Sequence, residues 1–218
     1  MTDPFTWYWV DGARWSDDAD PTLQIRPSLP YSPLREHPAL FLDFAGLDGT
    51  PESFEGFALD YGTLFSLWEP ETLSAWRNEH EQMADAVGLL NLFQDGRVDL
   101  AGRERYRARL ISIITAGLSR SDVIPTLRPT GHLSGAGVEI VFRVVNLIGG
   151  MWLQLAVAAE GGRKYRTCFC GKSIDITDAP GKKWCSEKCR NKRNYLRRTG
   201  RWDDEIDRPT KGGETDDN

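Results

Sequence analysis

Apolar positions in the middle of the chain recur at helical spacing, and that pattern sets the first expectations. Thr50-Pro51-Glu52 supplies a capping hydroxyl, a proline at the first helical position and an acid in the first turn. It predicts a helix with Phe54, Phe57, Ala58 and Tyr61 on one face, ending near Gly62. A longer helix is predicted from about Pro70 to Phe93, where Leu73, Trp76, Met83, Val87, Leu89 and Leu90 make the apolar stripe and Gln94-Asp95-Gly96 the stop. A third fits Leu100 to Leu118, with Tyr106, Leu110, Ile113 and Ile114 turned inward. Ser119 to Gly135 is rich in Pro, Gly and Ser and reads as a loop. Val138 to Val145 then reads as a strand, and Leu147 to Ala159 as a buried helix with Met151, Trp152, Leu155 and Val157. Gly161-Gly162 ends that helix.

The start of the chain lacks helical periodicity. Trp7, Tyr8, Trp9 and Trp15 give it β character, with a short hairpin expected around Asp11-Gly12, and Pro21, Pro27, Pro30, Pro33 and Pro38 punctuate an extended stretch lying along the body. The expected class is therefore mainly α with minor β. Its parts are an extended segment over 1–38, a mostly helical body over 39–160, a small module over 161–201 and an acidic, flexible tail over 202–218.

Composition narrows this picture. The chain has 218 residues, 40% of them hydrophobic, with eight Trp, nine Phe and six Tyr, enough for a packed core and against whole-chain disorder. The most apolar stretch, Asn146 to Ala159, is too short to span a bilayer and is interrupted by glycines. Nothing near Met1 reads as a signal peptide, so a cytoplasmic protein is expected.

Charge changes the picture more. The net charge of −5 conceals a segregation. Residues 1–160 hold 12 Arg, no Lys and 22 acids, a net of −10; residues 161–201 hold 13 Lys or Arg against three acids, a net of +10; residues 202–218 hold two bases and seven acids, a net of −5. Such a basic block on an acidic body suits a polyanionic partner.

All four cysteines fall in the basic block, as Cys168-Phe169-Cys170 and Cys185-Ser186-Glu187-Lys188-Cys189. Paired thiols at this spacing read as metal ligands rather than disulfides, and four thiolates suit one structural Zn2+. Gly171 permits a tight knuckle, Lys172 to Thr177 a short strand, and Pro180-Gly181 a turn back to Trp184. Ser186 then caps a helix on which Cys185 and Cys189 share a face. One ligand pair on a knuckle and one at a helix start describe a treble-clef-like finger. About 40 residues with Phe169, Ile174, Ile176, Trp184 and Leu196 cannot build a core alone, so the metal is expected to hold the module together.

The run Trp184-Cys185-Ser186-Glu187-Lys188-Cys189-Arg190-Asn191-Lys192-Arg193, continuing to Tyr195-Leu196-Arg197-Arg198, resembles the C-terminal finger of bacterial CGNR-type zinc-finger proteins. Leu40-Phe41-Leu42-Asp43-Phe44-Ala45 and Met151 to Ala158 resemble phrases of the helical bodies that precede such fingers. The resemblance implies a DNA-binding transcription regulator. The chain departs from that pattern in its Cys-x-Cys knuckle and in the Arg190 and Lys192 that flank Asn191.

On the helix, Arg190, Arg193 and Arg197 are expected as one outward stripe and Lys188, Lys192 and Tyr195 as another, with Arg198 at the end. Asn191 and Asn194 suit base edges and Tyr195 suits stacking. Nucleic acid, most simply DNA, is thus the expected partner of Lys188, Arg190, Asn191, Lys192, Arg193, Asn194, Tyr195, Arg197 and Arg198, with the helical body sensing a ligand or protein. The competing reading is an interaction adaptor with a purely structural zinc finger, or a basic helix that docks on the tail's Asp203, Asp204, Glu205 and Asp207. An enzyme is not expected. His37, His80 and His132 all lie outside the finger, His80 on an exposed helix surface and His132 in a loop, and no phosphate loop or nucleophile elbow is present.

Overall fold

A computed structural model describes residues 6–66, 68–94, 100–129, 138–161, 163, 165–168, 170, 173–177, 179 and 181–198. In chain order the elements are β1 (Trp7–Trp15), β2 (Thr22–Tyr31), α1 (Pro33–Glu36), α2 (Leu40–Ala45), α3 (Pro51–Tyr61), β3 (Glu71–Thr72) and α4 (Leu73–Gln94). They continue with α5 (Leu100–Arg120), β4 (Ile124–Pro129), β5 (Val138–Arg143), α6 (Leu147–Glu160), β6 (Tyr165–Thr167), β7 (Ser173–Asp175) and α7 (Glu187–Arg198). The class is mainly α with minor β, as the periodicity predicts. The chain divides into two compact units, 1–163 and 164–218.

In the first unit, α3 begins where its sequence dictates, the Thr50 hydroxyl accepting from the Ser53 N–H and Pro51 opening the first turn. Phe54, Phe57, Ala58 and Tyr61 are all buried. Their rings, with Phe44 of α2 and Trp76 of α4, form one aromatic cluster, Phe44 and Phe57 centred 5.0 Å apart and Phe54 and Trp76 5.6 Å apart. α6 lies in the core and is apolar almost all round, burying Leu147, Ile148, Met151, Trp152, Leu155 and Ala158; Asn146 caps it by accepting from the Gly149 N–H.

Two buried carboxylates organise this core. Glu79 of α4 is 5% exposed; it accepts from the Trp152 indole at 3.0 Å and pairs with Arg120 of α5 at 3.1 Å. It therefore ties α4, α5 and α6 at one point. Glu71 gathers the loop before α4, accepting from the backbone N–H of Leu64, Phe65 and Ser66 and from the Trp76 indole.

Several expectations are corrected here. Within the expected extended segment, residues 7–31 form a hairpin: β1 and β2 pair antiparallel and β2 continues onto β3. The hairpin turns at 16–21, where Ser16 accepts from the Thr22 N–H, whereas Asp11-Gly12 sits at a register shift within β1. The expected loop after Ser119 contains β4, which pairs with β5 along its whole length; Pro125 and Pro129 are tolerated because β4 has no second neighbour in its sheet. Tyr106 is exposed rather than inward, and Val87 and Ile113 are only half-buried. His80 is not a surface residue of the kind expected. It is half-buried, hydrogen-bonded to the Leu47 carbonyl at 3.1 Å and set edge-on to Phe44 and Phe54. His132 and the tail over 202–218 lie outside the described residues.

Candidate metal centre

The second unit brings the four cysteines together. β6 and β7 pair antiparallel, Arg166 opposite Ile174, and Cys168 and Cys170 lie in the turn between them. Cys185 stands just before α7 and Cys189 in its first turn. The local chemistry is what the sequence implies: Ser186 caps the helix by accepting from the Cys189 N–H at 3.2 Å, with Glu187 at the positive end. The Lys182 N–H donates to the Ala179 carbonyl at 2.8 Å, which returns the chain toward Trp184. Gly171 and Pro180 lie outside the described residues.

All four sulfur atoms lie within 4.8 Å of one another. Cys185 Sγ is 3.5 Å from Cys170 Sγ and 3.3 Å from Cys189 Sγ. A tetrahedral ion with metal–sulfur bonds of about 2.3 Å separates its ligands by roughly 3.8 Å, so the cluster has the dimensions of a single four-thiolate site. The Cys185 N–H donates to Cys168 Sγ at 3.3 Å, a contact that favours thiolate over thiol. No disulfide joins any two of the four cysteines, and Cys168 is buried, Cys185 and Cys189 half-buried and Cys170 exposed. The Cys-x-Cys knuckle thus delivers both sulfurs to the cluster despite being one residue shorter than the commoner spacing.

Their environments differ. Burial raises the Cys168 thiol, but the N–H groups of Cys170 and Cys185 together with contacts from their sulfurs leave the group below its ordinary value. Burial and contacts with neighbouring sulfurs push Cys185 well up. A divalent cation binds deprotonated thiols, so loading the site releases protons.

The helix meets its sequence reading in part. Lys188, Arg190, Asn191, Lys192, Asn194, Tyr195 and Arg198 are exposed on α7. Arg193 is not part of an outward stripe: it is half-buried and its guanidinium lies over the Trp184 ring, 4.6 Å from the centre. Arg190 pairs with Glu187 at 2.6 Å on the surface. Arg197 falls within α7, its side chain outside the description. The Trp184 shelf was missed from sequence, although Cys189 and Arg193 stand four residues apart and so share the inward face.

Among the described residues no helix is long and apolar enough to cross a membrane. No protein-family model matches the chain, and comparisons with curated proteins and with solved structures give no match.

Proposed function

We propose that the second unit is a zinc-stabilised finger that binds nucleic acid, duplex DNA in particular, through the outer face of α7, and that the protein is a cytoplasmic DNA-binding regulator. The observation that carries this reading is the convergence of four sulfurs within 4.8 Å at the start of a helix whose exposed side chains include Lys188, Asn191, Lys192, Asn194, Tyr195 and Arg198. Zinc is the metal that best suits an all-thiolate tetrahedral set. The need for it is energetic: among the unit's described residues only Cys168 and Ile174 are buried apolar groups, and a bound zinc contributes about 10–16 kcal/mol to such modules.

The exposed cations neutralise phosphates and release counterions. With about five of them engaged, log K falls against log salt with a slope near −4 to −5. Fluorescence anisotropy with labelled duplex DNA, single strands and RNA, across salt and before and after chelation, tests the reading. Salt-dependent duplex binding lost on chelation is expected. Silence with all three polymers overturns it and favours the adaptor. That second reading draws on the outer face of the β4–β5 hairpin, where Leu127, Ile140 and Phe142 are exposed.

A further inference from the structure

The exposed face of α7 is not uniformly basic. At about 100° per residue, Asn191, Asn194 and Arg198 fall in one narrow row, spaced by three and four positions. All three are exposed, and no hydrogen bond joins either asparagine side chain to another described residue. On one side of the row stand Lys188, Lys192 and the 58% exposed Tyr195; on the other stand the helix positions of Arg190 and Arg197. The opposite side of the helix is spoken for, by Cys189 at the sulfur cluster and Arg193 on Trp184. Glu187 begins the same row, but Arg190 neutralises it at 2.6 Å.

Amides in the centre and cations on both flanks is the arrangement a helix needs to lie in a major groove, which at about 12 Å wide admits it between two phosphate backbones. Phosphate contacts at the flanks fix orientation, and the central row meets base edges. An asparagine amide donates to adenine N7 and accepts from adenine N6, and a guanidinium donates twice to guanine O6 and N7. Steps of three and four residues advance roughly 4.5 and 6 Å along the helix, so successive members of the row address adjacent or next-nearest base pairs about 3.4 Å apart.

We infer that Asn191, Asn194 and Arg198 are the specificity-determining residues of the finger, reading a short major-groove site with two adenines and a guanine. This inference rests on the finger binding duplex DNA.

The test uses the full-length, metal-loaded protein. Short duplexes with randomised centres are put through selection, and the selected duplex and a scrambled one are titrated by anisotropy. Wild type is expected to enrich adenine and guanine. Asn191→Ala/Asn194→Ala is expected to keep its metal content and to lose selection at each adenine, its preference for the selected over the scrambled duplex falling by about 5-fold or more at each position. Arg198→Ala is expected to lose the guanine preference in the same way and to weaken the salt slope as well. Duplex binding by wild type without enrichment, or enrichment that survives in the double variant, overturns the inference and leaves the finger reading standing. Failure of wild type to bind any duplex overturns both.

Discussion

The guanidinium of Arg193 lies 4.6 Å from the centre of the Trp184 ring. Trp184 immediately precedes Cys185 of the sulfur cluster and Arg193 sits two turns into α7, so the contact clamps the helix against the stretch of chain that delivers the Cys185 sulfur. An arginine over a tryptophan face contributes about 0.5–2 kcal/mol depending on desolvation. Trp184→Ala removes both that attraction and the ring's covered area, whereas Arg193→Ala removes only the first. Competition with a chromophoric chelator should show metal affinity falling about 5-fold in Arg193→Ala and further in Trp184→Ala. Equal affinity in all three proteins would show that the clamp does not support the site.

The metal is expected to stabilise the second unit and not the first. Each unit is compact in itself, and the first holds its own aromatic core around Phe44, Phe54 and Trp76. Lys182 and Lys183 are already exposed, so chelation should show itself as faster tryptic cleavage of the loosened chain at these two residues while the near-ultraviolet circular dichroism of that aromatic cluster persists. Cys168→Ser should reproduce the effect without chelator, since it removes the most buried of the four sulfurs and the one held by the Cys185 N–H. Unchanged cleavage at the two lysines would contradict a structural metal.

The close approach of Trp152 makes Gly117 of α5 a packing glycine. A Cβ there would stand 2.2 Å from the Trp152 ring, whereas one on Gly88 of α4 would meet nothing within 4 Å. Alanine ordinarily improves a helix interior by about 0.5–1 kcal/mol over glycine. Gly88→Ala should therefore raise the denaturation midpoint, and Gly117→Ala should lower it by an overpacking cost of about 1–3 kcal/mol. The opposite signs from one substitution, read in the same urea titration, isolate the packing term.

How much of this was legible in the sequence depends on how local each signal was. The helix α3 was readable because its cap, its Pro51 and its apolar stripe all lie within twelve residues. The sulfur cluster was readable for the same reason, its ligands falling within 22 residues. β4 was not, because Pro125 and Pro129 signal a loop locally and only pairing with the distant β5 makes a strand. Asp11-Gly12 carries turn chemistry but is used as an irregularity inside β1, so the hairpin turn was misplaced by several residues. His80 looked exposed among Asn78, Glu79 and Glu81. Its partners, Phe44, Leu47 and Phe54, belong to a different stretch of chain, and Glu79 itself is buried by α5 and α6. Polar residues that tie elements together at long range leave no periodic trace.

Glu71 makes stability depend on pH. Burial pushes its carboxyl above the ordinary value of 4.5, against N–H groups of Ser66, Leu64, Phe65 and the Trp76 indole that pull it back. The folded chain then holds this proton more tightly than the unfolded chain. The group's contribution is most favourable below 4.5 and declines as pH rises through the folded value. Glu71→Gln cannot titrate, so wild type should lose stability relative to this variant as pH rises above 4.5, measured as urea midpoints. Glu71→Ala strands four donors and should be destabilised by several kcal/mol at any pH, at about 1–3 kcal/mol for each buried group left unpaired.

The cations of α7 are not equivalent, and under the proposed duplex binding the salt dependence should sort them. Lys188, Lys192 and Arg198 are exposed, and no ion pair joins them to another described residue. Each should reduce the slope of log K against log salt by about 0.9 when replaced by glutamine, because each releases about one counterion. Arg190 shares its charge with Glu187 at 2.6 Å, so Arg190→Gln also frees an acid on the same face and should weaken binding more than its slope change accounts for. Arg193 is committed to Trp184; Arg193→Gln should leave the slope near that of wild type while lowering the finger's metal affinity. A slope that falls equally for Lys188, Lys192, Arg193 and Arg198 would mean that the helix meets its ligand as a featureless rod of charge, without the oriented face that Trp184 and Cys189 impose.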